Sequence, residues 1–182
     1  SLHDALPIST LAELSLSTEQ IVKNWSQVIR SIHLAVDFAV NNLGVKKFEY
    51  LPYRGHLVVL AYYFYHRKNS NLTVNDRKML WDWFWRVTLS ERYSATSPTK
   101  MAEDAKKMRA FLQGQDAIFN YPSTLTPDAI LRTKMSSTSS ALRNGVLCML
   151  ALNQPQNFKD NSPVNLGDSF FANIKKAERH HI

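Results

Sequence analysis

The residues best suited to chemistry are two adjacent histidines, His180 and His181, at the end of the sequence. A neutral imidazole is a good ligand for a divalent metal, and an imidazole whose pKa lies near neutrality can also take a proton from water. Side by side, one histidine can hold a metal ion against a phosphate while the other activates water for attack. Adjacent histidines are also found on ordinary protein surfaces, so the pair by itself does not define a site.

The densest aromatic segment is WDWFWR at residues 81–86, which continues to SERYS at residues 90–94. Three tryptophans and a phenylalanine within five positions cannot share one side of a helix, because consecutive residues lie ~100° apart. The usual burial of such side chains favours a central core helix. The functional alternative is stacking on flipped or single-stranded bases, with Arg86 and Arg92 on phosphates.

A second short cluster, LPYR at residues 51–54, precedes an apolar segment. Proline disfavours a helical conformation at the residue before it, so Leu51-Pro52 interrupts the chain at this point. Taken alone, the cluster predicts a turn with an exposed arginine, Arg54.

The chain carries 22 Lys and Arg against 15 Asp and Glu, which gives a net charge of +7 and a pI of about 9.6. Such a surplus attracts polyanions, because Lys and Arg displace the counterions condensed on phosphates. The basic residues are spread along the chain, and a solvated surface explains them equally well. The charge permits nucleic-acid binding without establishing it.

Several enzyme classes find no support in the sequence. It contains no GxxxxGK[ST] or GxGxxG phosphate loop, no GxSxG elbow and no HExxH pair. Cys148 is the single cysteine and lies in an apolar stretch, which favours packing over nucleophilic chemistry. With no disulfide to form and no apolar stretch long enough to span a bilayer, we expect a cytoplasmic protein without membrane contact.

The apolar spacing predicts a mainly α fold, an irregular domain of about five to six helices. Five glycines in 182 residues favour helices joined by short loops. The first helix is predicted to begin at a capping box formed by Ser17 and Gln20 and to end at Gly44. Residues 55–68 would also suit a strand, but their apolar positions favour a helix. Further helices are predicted at residues 76–91, 98–113, 128–134 and 141–152.

Three segments are expected along the chain. Residues 1–9 (SLHDALPIS) closely resemble translated sequencing-adapter DNA, so we interpret them as non-native. Residues 10–153 form the helical domain. Residues 154–182 form a linker rich in proline and polar residues, followed by the start of another unit.

The order of the clusters resembles bacterial restriction endonucleases of the GmrSD type. The resemblance rests on the LPY entry to an apolar helix, the WFWR helix that runs into SERYS, and HHI at residues 180–182. In that family an N-terminal domain related to the ParB/sulfiredoxin fold hydrolyses nucleotide, a helical region follows, and an HNH nuclease domain ends the chain. Members restrict foreign DNA.

The resemblance implies specific roles for the terminal residues. His181-Ile182 matches the start of the HNH signature, which makes His181 the general base and His180 a metal ligand, with Mg²⁺ or Mn²⁺ as the cofactor. A first β-strand of a truncated ββα-metal unit is then expected at the C-terminus. DNA becomes the expected partner, with Arg54, Arg86 and Arg92 as candidates for phosphate contacts.

The nucleotide motif of the family's N-terminal domain and the later HNH residues are absent from this sequence. We therefore expect a fragment that neither binds nucleotide nor cleaves DNA, taken from a parent that does both. The alternative is a non-enzymatic helical interaction or nucleic-acid-binding module in which the terminal histidines are incidental. The sequence leaves the oligomeric state open.

Overall fold

The structure, a computed structural model, describes residues 17–67, 69, 71–94, 98–123, 125–132 and 140–164. These residues form six α-helices and one 3₁₀ turn, and they contain no strand beyond an isolated antiparallel bridge between Gln156 and Pro163. The predicted mainly α class is thereby confirmed. The strand expected at the C-terminus, His180 and His181 all lie outside the described residues. The helices are α1 Thr18–Asn42, α2 Gly55–His66, α3 Val74–Leu89, α4 Pro98–Leu112, α5 Pro127–Arg132 and α6 Ala141–Leu152, with the 3₁₀ turn at Phe48–Tyr50.

Side-chain caps fix where the long helices begin. The Gln20 amide N–H donates to Ser17 Oγ at 3.2 Å, and the Ser17 N–H donates to Gln20 Oε1 at 3.1 Å, which confirms the predicted capping box of α1. At the other end of α1, Gly44 has φ +72°, the left-handed conformation that glycine adopts without strain. Thr73 and Asp76 form a second capping box at the start of α3.

α2 is the centre of the domain. It packs against α1 on one side and α4 on another, while α6 packs against α3 and the 3₁₀ turn. Its helical form settles the helix–strand ambiguity of residues 55–68 in favour of the helix. The core consists of the inward faces of these elements, including Phe38 and Leu43 of α1, Leu60 and Tyr63 of α2, and Leu80, Trp83 and Phe84 of α3.

The aromatic helix α3 is a core element. Trp83 and Phe84 are completely buried and Trp85 is 5% exposed, so its aromatic residues occupy more than one side of the helix, as the ~100° step between residues requires. Trp81 differs from these three because it is 49% exposed. The core-helix interpretation therefore holds for three of the four aromatic side chains. None of the helices in the described part of the chain combines the length and apolarity of a membrane span.

Candidate functional site

Two of the sequence clusters, residues 51–54 and 81–94, meet inside the domain beside Asp104 of α4, where the ring centroids of Tyr53 and Tyr93 lie 6.1 Å apart. Asp104 is completely buried. Its carboxylate accepts hydrogen bonds from Trp83 Nε1 at 3.0 Å, from the Tyr93 hydroxyl at 2.6 Å and from the Tyr121 hydroxyl at 2.5 Å. A buried carboxylate is tolerated only when such donors and a counter-charge replace water. We call the set Trp83, Arg92, Tyr93, Asp104 and Tyr121 the Asp104 cluster.

Arg92 supplies the counter-charge. Its Nη2 lies 3.0 Å from Asp104 Oδ1 and its Nε lies 3.1 Å from the same oxygen, while Nη2 also pairs with Glu103 at 2.6 Å. The guanidinium carbon stands 4.0 Å from the centroid of the Tyr121 ring, a cation–π arrangement. Burial lowers the pKa of Arg92, but its hydrogen bonds to Asp104 and Glu103 outweigh that effect and raise the pKa overall. Arg92 is thus a partly buried, positively charged partner of Asp104.

The two tyrosines remain protonated donors. Burial, and then the hydrogen bond to Asp104, raise the pKa of Tyr93 and of Tyr121 well above the ordinary value. Lys107 stands 4.9 Å from the centroid of the Tyr121 ring and donates to the Ile118 carbonyl at 3.1 Å. The Tyr121 ring therefore interacts with two cations, Arg92 and Lys107, which holds the segment after α4 against the cluster.

His56 lies beside the cluster and is completely buried. Its ring packs against Trp83, Phe84 and Tyr93, with centroid distances of 5.3, 4.6 and 5.6 Å. Nδ1 lies 3.1 Å from the Tyr53 carbonyl, which fits a neutral ring with its proton on Nδ1. Burial lowers the pKa of His56 to about 4. The Tyr53 and Phe84 carbonyls and Asp104 act to raise this pKa, but their effect is smaller than that of burial.

One polar atom of His56 is left without a partner. Nε2 is buried and makes no hydrogen bond of ordinary geometry, although the Phe84 carbonyl is close enough to affect the proton affinity of the ring. An unpaired buried acceptor costs free energy. Among the described residues, His56 Nε2 is therefore one of three buried side-chain nitrogens without a hydrogen bond, together with Arg67 Nε and Trp85 Nε1.

The short segment before α2 is fixed by α6. Asn144 Nδ2 donates to the Glu49 carbonyl at 3.0 Å, and the Cys148 thiol donates to the Tyr50 carbonyl at 3.4 Å. A Cβ atom on Gly44 would stand 2.2 Å from the Cys148 carbonyl oxygen, so the two backbones can approach this closely only with glycine. α6 thereby positions the segment that leads to His56.

The Asp104 cluster and His56 are suited to positioning helices. Asp104 and His56 are both inaccessible to solvent, the carboxylate is neutralised by Arg92, and the tyrosines are stabilised in the protonated form. A group that takes part in turnover must reach a substrate, and none of these reactive atoms does so in this conformation. The Asp104 cluster instead fixes the relation between α3, α4 and the segment that contains Tyr121, and His56 brings α2 into the same contact.

The three arginines named as candidates for phosphate contacts have different settings. Arg54 is exposed at the start of α2, with its guanidinium carbon 5.7 Å from the centroid of the Phe48 ring. Arg86 is 44% exposed and pairs with Asp82 one turn earlier on α3, at 2.7 Å. Arg92 has a side chain 14% exposed and belongs to the Asp104 cluster. Arg54 and Arg86 are therefore accessible to a polyanion, whereas Arg92 is engaged within the domain.

A metal site is not formed by the described part of the chain, where no three His, Cys, Asp or Glu side chains are grouped closely enough to hold an ion. The candidate ligand His180 and the candidate base His181 lie outside it.

Sequence reasoning did not identify Asp104, His56 or Tyr121 as a set. A signal was present for the first two. Asp104 follows Met101 by three residues and precedes Met108 by four, which places a carboxylate on the apolar face of α4. His56 likewise precedes Leu60 by four. A charged or titratable residue on a buried helix face requires a partner, but the sequence does not say which one.

The chain is similar to the uncharacterized protein MJ0686 of Methanocaldococcus jannaschii, with 22% identity over 187 aligned positions. The similarity covers 93% of this chain and 30% of the archaeal protein, so the chain spans less than a third of that relative's length. No protein-family model matches the chain, and no solved structure does. The comparisons therefore assign neither a family nor an activity.

Proposed function

We propose that this chain is the helical scaffold of a larger DNA restriction endonuclease of the GmrSD type. In this proposal the described helices bind and position DNA and carry a nuclease unit that begins at His181. The observation that carries the proposal is the contact between residues 51–54 and 81–94, where the Tyr53 ring lies 6.1 Å from the ring of Tyr93 in the Asp104 cluster. Both segments belong to the family resemblance, and their contact inside the domain gives a physical reason why one would accompany the other.

The accessible arginines have a defined role in the proposal. Arg54 and Arg86 contact backbone phosphates, which sets the position of the duplex without reading its sequence. Arg92 holds the end of α3 against α4 through its ion pair with Asp104. His181 takes a proton from the attacking water and His180 binds a divalent metal, Mg²⁺ or Mn²⁺, which supplies Lewis-acid chemistry when bound. Nucleotide hydrolysis belongs to a domain of the parent outside this sequence.

Cleavage is tested with plasmid DNA in the presence of Mg²⁺ or Mn²⁺. The isolated chain should leave the plasmid supercoiled, because it lacks the later HNH residues, whereas the parent protein should nick it and lose that activity with His181→Ala. The parent sequence should also continue after Ile182 with any residue and then proline, followed by an asparagine and a histidine within the next few dozen positions. A parent without this continuation and without nicking would refute the nuclease assignment.

DNA binding by the chain is tested separately, by titrating a short duplex at several salt concentrations. A double variant, Arg54→Gln with Arg86→Gln, should weaken binding and lower the slope of log K against log salt by roughly 2, one for each lost phosphate contact. Arg132→Gln is the control, compared with Arg54→Gln and Arg86→Gln made singly, because Arg132 is a surface arginine with a side chain 83% exposed and an i,i+4 partner. An equal effect of the control would show that general charge, and not these two positions, attracts DNA.

The second candidate is a non-enzymatic interaction module. It is favoured by an apolar surface on α1 that the described residues leave uncovered, with Trp25 57% exposed. In that case the chain would assemble with a partner through α1, and the nicking and salt experiments would both be negative.

A further inference from the structure

The long helix α1 has two apolar faces, and the part of the chain that the structure describes covers one of them. The covered face carries Ala35, Phe38 and Ala39, which are buried in the core. The other face consists of Val22, Trp25, Ile29, Ile32 and Val36, which we call the α1 seam. Four of its side chains are 41–70% exposed, and Ile29 is half-buried.

The spacing of the α1 seam is that of a helix-pairing surface. Val22, Ile29 and Val36 are seven residues apart, as are Trp25 and Ile32, so the residues occupy positions a and d of two heptads. At ~1.5 Å per residue the seam extends for roughly 21 Å along α1. A seven-residue repeat keeps the seam facing one partner helix.

A groove continues the seam onto α2. It lies between α1 and α2, has a volume of about 410 Å³, and is lined by uncharged residues that include Val28, Ile32, Val58 and Tyr62. Val58 is 60% exposed. The seam and Val58 together expose on the order of 500 Å² of apolar side chain, which is as large as the biggest patch on most monomers and approaches the ~800 Å² that each partner contributes to a stable interface.

We propose that the α1 seam pairs with the α1 seam of a second copy of this chain, forming a symmetric dimer. The occupant must present a helix with the same heptad repeat, and α1 itself has this repeat. A two-fold axis brings identical patches together, so the seam covers itself. Neither the seam nor the groove contains a charged side chain, so two chains of net charge +7 can meet there without like charges in contact. The dimer does not depend on the endonuclease assignment.

The primary test is sedimentation velocity of the full chain over a range of concentrations. The wild-type chain should form a dimer, and Trp25→Glu and Ile32→Glu should each weaken dimerisation by at least about tenfold, since each places a charge in an apolar seam. Val74→Glu is the control, because Val74 is 80% exposed on α3 and away from the seam, and it should dimerise as the wild type does. Circular dichroism should show unchanged helix content in all three variants.

A chain that stays monomeric up to its solubility limit would overturn the proposal and assign the seam to a different partner. A dimer that Trp25→Glu and Ile32→Glu leave intact would overturn it as well.

Cross-linking gives an independent measurement that does not require a destabilising charge. Ile29 lies at the centre of the seam, so Ile29→Cys places two thiols near the two-fold axis whether the helices run parallel or antiparallel. Mild oxidation should then produce a disulfide-linked dimer. The wild-type chain is the control, because its single cysteine, Cys148, is completely buried. A dimer by sedimentation that fails to cross-link through position 29 would place the interface elsewhere and refute the seam.

Discussion

Trp83 of α3 donates a hydrogen bond from its indole Nε1 to Asp104 Oδ2 of α4 over 3.0 Å, and both side chains are completely buried. The bond joins the aromatic segment to a helix twenty-one residues later in the chain. Because Asp104 also binds Arg92 and two tyrosines, loss of this one carboxylate would leave several buried donors unpaired. Asp104 therefore joins α3, α4 and the segment that contains Tyr121 through one buried carboxylate.

Replacing Asp104 should destabilise the fold strongly. We expect Asp104→Ala to lower the free energy of unfolding by about 3–5 kcal/mol, because the Trp83 indole and the Tyr93 and Tyr121 hydroxyls lose their shared acceptor. Urea denaturation followed by circular dichroism measures the loss. Asp82→Ala is the control: it breaks a surface i,i+4 pair with Arg86, worth about 0.5 kcal/mol or less. Comparable losses in the two variants would contradict the central role of Asp104.

Stability should depend on pH through His56. Its pKa is lowered from 6.5 to about 4 by burial, so the unfolded chain binds a proton between these values while the folded chain does not. The stabilisation that comes from keeping the ring neutral is complete above pH 6.5 and is lost as the pH falls towards 4. This loss lowers the free energy of unfolding by roughly 3 kcal/mol. Chemical denaturation at a series of pH values measures this slope.

His56→Phe isolates that contribution. Phenylalanine keeps an aromatic ring in contact with Trp83 and Phe84 and removes the unpaired Nε2. The Tyr53 carbonyl still accepts from the backbone N–H of residue 56, at 3.1 Å in the wild type. We expect the stability at pH 7 to lie within about 2 kcal/mol of the wild type, with a flatter profile between pH 6.5 and 4. An unchanged slope would show that other groups, such as His66, whose pKa burial also lowers, cause the acid sensitivity.

The helices could be predicted from the sequence because their signals are local. The Ser17–Gln20 capping box, the αL glycine at position 44 and the three-to-four spacing of apolar residues each depend on neighbours within one or two turns. The Asp104 cluster could not be predicted, since its members come from residues 83 to 121 and only packing brings them together.

Periodicity was also insufficient to predict burial. Trp25 and Ile32 share the three-to-four spacing of apolar residues along α1 with Ala35 and Ala39. The latter two are buried, but Trp25 and Ile32 are 57% and 41% exposed. A pattern of apolar residues shows that a helix face avoids water, and it does not identify what covers that face. Side chains that follow the apolar spacing of α1 but are exposed in the structure are what indicate the α1 seam.

Two glycines with similar backbone conformations should tolerate alanine very differently. Gly44 and Gly114 have φ values of +72° and +84°. A Cβ on Gly114 would meet no atom within 4 Å, so Gly114→Ala should cost only the strain of a left-handed alanine, about 1–2 kcal/mol. On Gly44 it would stand 2.2 Å from the Cys148 carbonyl oxygen, so α6 must move. We expect a clearly larger loss of stability in urea for Gly44→Ala, and equal losses would contradict the close approach.

The Cys148 thiol should report on the attachment of α6. Burial raises its pKa to about 12, and its Sγ donates to the Tyr50 carbonyl at 3.4 Å, so the nucleophilic thiolate is scarce and inaccessible in the folded chain. A chromogenic disulfide reagent should therefore label wild-type Cys148 only as fast as the domain opens, with full labelling in denaturant. Gly44→Ala should accelerate labelling in native buffer, since it displaces α6 at this contact, whereas Gly114→Ala should change it little. Rapid labelling of the native wild-type chain would show that α6 does not stay packed against the segment that leads to His56.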